Sequence, residues 1–264
     1  MVLRFISYLN RYHLSISTIR VYLSGVRAWV IAQGGPPLAL FSPRVKWALK
    51  SILRGQPPPR RVTPFTFEML EAVYHVLVQT HDQLVIWVAM LVGYFACLRS
   101  SEYCPDTRVS RPILPSDITL YSHPVRYLSM FISSSKTSPA GFTVIIGCSG
   151  THICAYCWLS HLISTRAHLP SHPIFTLSDG HLLTARHLTA AMRRLVSLAG
   201  LPPAGITPHS LRAGSATDAA GLGASDARVK ALGRWTSNAY QLYLRPGPRA
   251  QASTAAWLAS GQNS

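Results

Sequence analysis

Two short stretches carry side chains whose types and spacing suit chemistry on a phosphate. The first is "ITPHSLRAG", residues 206–214, in which His209 and Arg212 lie three apart and so share one face of a helix. Thr207 reads as the N-cap of that helix and Pro208 suits its first turn. A helix N-terminus joined to a guanidinium fork is a natural phosphate cradle. The second stretch is "ALGRWTSNAYQLYLR", residues 231–245, where Tyr240 and Tyr243 follow a Gly-Arg-Trp among arginines. Ser237 is placed to cap a short helix and Pro246 to end it, which makes the two tyrosines neighbours. A phenol has a reference pKa of ~10, so it attacks at neutral pH only from a strongly positive site. Taken one at a time, these stretches also fit a surface His-Arg pair and two packed aromatics.

A third cluster, "CSGTHICAYCWLSH", offers Cys148, His152, Cys154, Cys157 and His161. A C-x-x-C pair is half of a zinc site. The remaining spacing is irregular, and Ala155, Tyr156, Trp158, Leu159 and Leu162 look like an apolar helix face on which cysteine is a small hydrophobe. The reading is packing, with no metal or cofactor expected and zinc on Cys148, Cys154 and Cys157 as the weaker alternative. Cys97 and Cys104 have no partner pattern and read as packing residues.

The chain that must position these groups has 264 residues, 48% of them hydrophobic, enough for a sizeable core. Its 25 Lys+Arg against 9 Asp+Glu give a formal charge of +16, which points to a polyanionic partner. Residues 1–67 hold ten of those basic residues and no acid, so this segment is the expected nucleic-acid face. Five cysteines and no signal peptide argue for a reduced intracellular setting and against secretion. The apolar run 84–98 is 15 residues long, short of the ~20 a spanning helix needs, and reads as a buried helix. No membrane role is expected.

Apolar residues Ile19, Tyr22, Leu23, Val26 and Val30 recur at helical spacing until Gly34-Gly35, with Arg20 and Arg27 on the opposite side. A second helix over 42–55 turns Val45, Ala48, Leu49 and Ile52 inward and Arg44, Lys46, Lys50 and Arg54 mostly outward. Two basic amphipathic helices therefore lead the chain. An apolar-basic pattern already running at residue 2 reads as a chain that begins inside a domain lacking its first helix. "GQPPPRRVTP" is the expected linker, since three prolines stiffen it, and Arg60 and Arg61 beside them add to the basic face. A helix around 65–79, the buried helix at 84–98, a β-hairpin over 126–147 with Lys136 near its tip, and further helices from about 155 complete the second part.

In order along the chain, Arg99 in "CLRSSEY", Lys136, "HSLR" at 209–212, "LGRW" at 232–235 and "YLR" at 243–245 resemble the motifs of the tyrosine recombinase, or phage integrase, family. The similarity is greatest to the eukaryotic mobile-element branch, the DIRS-like and Crypton recombinases. It covers nearly the whole chain. The resemblance implies a mainly α (α+β) fold: a helical, SAM-like core-binding domain at 1–55, here truncated, a linker at 56–64, and a catalytic domain at 65–264 with a small antiparallel sheet. It implies a site-specific enzyme that cleaves and rejoins double-stranded DNA through a 3′-phosphotyrosyl link without metal or nucleotide, acting as a tetramer on paired sites. Residues 247–264 after the nucleophile would dock on a neighbouring copy through Trp257. The setting implied is the nucleus in a eukaryote and the cytoplasm otherwise.

Carried onto these positions, Arg99 and Arg212 would clamp the phosphate oxygens, His209 would act in acid/base transfer, and Lys136 would protonate the departing 5′ oxygen. The family's nucleophile lies nine residues after the His or Trp that follows its Gly, which selects Tyr243 and leaves Tyr240 to pack behind it. That count puts Arg234 at the His/Trp position, while Trp235 fits by type; Trp235 is the expected occupant and Arg234 the alternative. Glu102 would orient Arg99. Two other readings stay open: a non-cutting DNA-binding protein descended from such an element, and a basic RNA- or zinc-binding protein.

Overall fold

The computed structural model describes residues 2–36, 42–57, 62–78, 80–104, 111–135, 138–165 and 171–244. The chain divides into two compact units, Met1–Arg60 and Arg61–Ser264.

The first unit is three helices, α1 (Val2–Arg11), α2 (Ile16–Ala32) and α3 (Pro43–Gly55). The sequence pattern predicts only two helices here and misses α1. Ser15 and Ser42 cap α2 and α3 by accepting from the amides of Thr18 and Val45. Ile6, Leu9, Ile19, Leu23 and Val45 form the core of this unit. Gln56 closes it: its Oε1 accepts from the Ile16 amide at 2.9 Å and its Nε2 donates to the Leu14 carbonyl at 2.8 Å. The core is too small to cover a broad stripe, and Tyr22, expected inward, is 51% exposed.

The second unit is built around α5 (His81–Phe95), in which Val85 and every residue from Trp87 to Tyr94 are buried. A helix apolar on all sides must be enclosed, and α5 packs against α7 (Ala155–Thr165) and α9 (Pro208–Gly221). Among the described residues no helix is long and apolar enough to cross a membrane. Helices α4 (Phe67–Tyr74), α6 (Ser100–Tyr103), α8 (Ala185–Leu198) and α10 (Asp226–Gly233) complete the helical set.

The end of α5 differs from the expected Leu98 in a way that matters below. The Leu98 amide donates to the Gly93 carbonyl and the Cys97 amide to the Tyr94 carbonyl, both at 3.0 Å, with Cys97 in the left-handed conformation at φ 49°. This is a Schellman stop, normally marked by glycine at the left-handed position. Cysteine there leaves no sequence signal.

Strands β1 (Ile118–Tyr121), β2 (Tyr127–Ile132) and β3 (Phe142–Gly147) form one antiparallel sheet in that order. β2 and β3 are the expected hairpin, paired from Tyr127↔Gly147 to Ile132↔Phe142. β1 has no counterpart in the sequence reading, because it lies at the edge with three of four residues exposed and shows no apolar alternation.

Helix α9 has two working faces. Along one, spaced four apart, the Ser210 carbonyl accepts from the Phe65 amide at 2.8 Å, Gly214 lets the Phe65 backbone lie against the helix, and Asp218 accepts from the Phe67 amide at 2.7 Å. A Cβ on Gly214 would stand 1.8 Å from the Phe65 carbonyl oxygen. Backbone cannot yield as a flexible side chain can, so Gly214→Ala is expected to cost about 1–3 kcal/mol, read as a lowered thermal midpoint with the secondary structure retained.

Candidate active site

The other face of α9 carries His209 and Arg212. Thr207 takes the N-cap position in extended backbone, but the hydroxyl doing the bonding is that of Ser210, which accepts from the Thr207 amide at 3.0 Å. Pro208 fills the first turn. Arg212 is 1% exposed and donates to the backbone carbonyls of Cys97 and Gly233. Those bonds occupy two of a guanidinium's five N–H groups. Its Cζ lies over the Trp235 ring, 4.3 Å from the centroid, a cation–π contact. Gly233 makes room for that ring: a Cβ on it would stand 1.9 Å from Trp235.

Arg99 enters from the end of α5. Because Cys97 reverses the chain, Arg99 becomes the N-cap of α6, and Glu102 in the first turn reaches back to it. Glu102 accepts from the Arg99 amide at 2.8 Å and pairs with its guanidinium at 2.9 Å. The Glu102 side chain is fully buried, and its other oxygen pairs with Arg234 at 3.3 Å. Among the described residues, one carboxylate thus stands against Arg99, Arg212 and Arg234, an excess of two positive charges. Burial lowers Arg212 and Arg234 from the usual arginine value, and the positive charge of Arg99 adds to it in both. Such a cluster asks for an anion.

Tyr243 closes the site. The 3-10 turn Asn238–Leu242, capped by Ser237, ends on it. Its hydroxyl lies 3.1 Å from His209 Nε2, and its ring is 5.5 Å from that of Trp235. Thr217 Oγ1, further along α9, donates to the Tyr243 carbonyl at 2.7 Å and fixes the backbone that presents the phenol. Burial, with the charges of Arg212 and then Arg99, holds His209 below the ordinary imidazole value. A neutral imidazole with Nε2 free can accept the phenolic proton. Tyr240 is fully buried, in a small cluster with Ala216 and Val229, with its ring 6.2 Å from Trp235.

The fold therefore brings together Arg99, Glu102, His209, Arg212, Trp235 and Tyr243. It separates the two candidates for the His/Trp position. Trp235 stacks on Arg212 beside Tyr243, whereas Arg234, left-handed at φ 54°, turns back to the carbonyls of Ala96 and Cys97, to Glu102 and over the Phe142 ring. Lys136 lies outside the described residues, between Ser135 and Ser138, which pair with each other. Sequence reasoning missed the carbonyls of Cys97, Ala96 and Gly233 and the hydroxyl of Thr217, since backbone acceptors leave no trace in residue type.

In the first unit, Arg20, Arg27, Lys46 and Lys50 line one groove of about 730 Å³ with Leu23, Leu49 and Leu53. Arg44 is exposed but does not line it. Arg60, Arg61 and residues 247–264 lie outside the described residues.

The molecule has the fold of the tyrosine recombinases and integrases. XerA recombinase superposes with a TM-score of 0.57 at 15% identity over 100% of this chain and 98% of that one. The Tn1549 transposon integrase in complex with circular intermediate DNA gives 0.59 at 15% identity, covering 97% and 83%. XerH site-specific recombinase bound to difH substrate gives 0.54 at 17% identity, covering 95% and 72%. No family model and no curated protein sequence matches the chain.

Glu102 is the point of balance. Glu102→Gln is expected to destabilise the second unit, at the lower end of the roughly 3–5 kcal/mol for a broken buried pair, because both paired arginine side chains keep 24% exposure. Thermal unfolding with and without sulfate checks it: sulfate should restore part of the stability.

Proposed function

We propose that the protein is a DNA breaking-and-rejoining enzyme of the tyrosine recombinase type, with Tyr243 as nucleophile. The observation that carries the reading is the 3.1 Å contact between the Tyr243 hydroxyl and His209 Nε2 at the edge of an arginine cluster with surplus positive charge. The scissile phosphate would sit against Arg99 and Arg212, which hold its non-bridging oxygens as charge builds on them. His209 accepts the phenolic proton as the Tyr243 oxygen attacks phosphorus. A P–O bond forms to tyrosine, the bond to the 5′ oxygen breaks, and Lys136 delivers a proton to that oxygen. The 3′-phosphotyrosyl link conserves the bond for rejoining. Trp235 keeps Arg212 flat and in place, and Glu102 positions Arg99 and Arg234. The likeness to a transposon integrase and to Xer recombinases, some of them in DNA complexes, supports the substrate class.

Affinity would come largely from the basic groove of the first unit, where phosphates meet Arg20, Arg27, Lys46 and Lys50. Contacts of this kind position DNA without reading its sequence. A mobile-element source, assembly on paired sites and a nuclear or cytoplasmic setting belong to the same reading.

The experiment that tests the proposal is a search for a covalent adduct on denaturing gels, in EDTA, with a pool of nicked duplexes that trap 3′-linked intermediates. Wild type should form the adduct, Tyr243→Phe should not, and Tyr240→Phe should retain it. Tight binding with no adduct from any of them would support the non-cutting DNA-binding reading.

Two further outcomes are expected. The folded state disfavours protonated His209, so its contribution is complete above the unfolded value of ~6.5 and is lost as pH falls below it. The acid limb of adduct formation at low DNA concentration, which reports the free enzyme, should therefore lie below ~6.5. Arg27→Ala with Lys46→Ala should weaken DNA binding and flatten its salt dependence by up to about 0.9 logarithmic units for each phosphate that is no longer neutralised, leaving adduct formation at saturating DNA intact.

A further inference from the structure

Cys148, Cys154 and Cys157 lie far from the reading above in chemistry, and the fold places them together. Cys148 directly follows β3, Cys154 is the residue before α7, and Cys157 sits in its first turn. The loop between β3 and α7 folds back so that the Cys148 sulfur is 3.7 Å from both the Cys157 and the Cys154 sulfurs, and all three lie within 4.8 Å of one another. The spacing that looks irregular in sequence closes in space.

These separations discriminate between the chemistries open to thiols. Disulfide sulfurs are ~2.05 Å apart, and a single pair would strand the third thiol. Sulfurs on two corners of a tetrahedron about zinc, with Zn–S of ~2.3 Å, stand about 3.8 Å apart. Two of the three edges here match that value.

The surroundings also favour thiolates. The Cys154 carbonyl accepts the first helical bond, from Trp158, so Cys154 is the N-cap of α7 and its sulfur faces the free amides of the first turn. The amides of Cys157, Gly150 and Ser149 and the Ser149 hydroxyl are directed at the Cys154 sulfur. Arg126, whose carbonyl accepts from the Cys148 amide, holds a positive charge near Cys148 and Cys157. Cys154 is buried while Cys148 and Cys157 are half-buried, which leaves an ion a way in. The nearby histidines are engaged elsewhere: His152 Nε2 is 3.5 Å from Glu71 and its ring packs on Tyr74, and His161 lies edge-on to Trp158.

We infer that Cys148, Cys154 and Cys157 form a three-thiolate site for zinc, which clamps the end of β3 to the start of α7 and leaves the fourth corner to water. Binding converts the three thiols to zinc-bound thiolates and releases their protons. The site is independent of DNA cleavage and stands whether or not the adduct forms.

The test uses the full chain, reduced with a phosphine and stripped of metal, titrated with zinc against a chromophoric chelator and separately with cobalt(II). Wild type should take up one equivalent, release protons, show thiolate-to-cobalt charge-transfer absorption and gain thermal stability with zinc. Cys154→Ser and Cys157→Ser should each lose tight zinc binding and abolish the thermal gain. Circular dichroism of the metal-free variants separates a missing ligand from a missing fold, and the wild-type titration stands apart from both. No uptake by reduced wild type, uptake that survives both variants, or thiol counting that finds one cysteine pair oxidised in place of metal binding would each overturn the inference.

Discussion

Gathering several guanidinium groups where little water reaches them is the problem around which the second unit is organised. Charge removed from water must be met by fixed dipoles or by opposite charge. Here both are used. The Cys97 carbonyl, turned inward by the left-handed residue that ends α5, accepts from both Arg212 and Arg234, and Glu102 pairs with Arg99 and Arg234. Among the described residues the compensation is incomplete in charge, since one carboxylate faces three arginines. What remains is a positive site whose geometry is fixed before any anion arrives.

That fixing depends on α9 being held from both sides. Ser210, Gly214 and Asp218 receive the backbone of 65–67 along one face, and Asp218 also accepts from the Tyr94 hydroxyl of α5. His209 and Arg212 point to the other, while Thr217, one residue before Asp218, holds the Tyr243 carbonyl. A shift of the helix would therefore move the arginine, the imidazole and the backbone of Tyr243 together. On the proposed reading this is how the phosphate clamp and the nucleophile stay in register.

The same logic separates Trp235 from Arg234. Adjacent residues after a helix end can point in opposite directions when the first is left-handed. Arg234 takes that conformation, so its side chain runs to Glu102 and Phe142 while the Trp235 ring lies against the Arg212 guanidinium. A count of nine residues to Tyr243 points to Arg234, whereas the side chain that packs beside the phenol is that of Trp235.

The sequence by itself determined much of the plan. The amphipathic patterns of α2 and α3, the apolar run of α5, the hairpin of β2 and β3, and the Thr-Pro start of α9 are local patterns, and the order of Arg99, His209, Arg212 and Tyr243 carried the resemblance to tyrosine recombinases. Residue type and short spacing suffice for such features because helix and strand periods are local. Tertiary structure alone decided the rest. The true end of α5 at a non-glycine Schellman stop, the edge strand β1, the carbonyls that hold Arg212, and the meeting of Cys148 with Cys154 and Cys157 all depend on backbone direction and on contacts between distant segments. Backbone carbonyls are the same at every residue, so only the fold can say which of them point at an arginine.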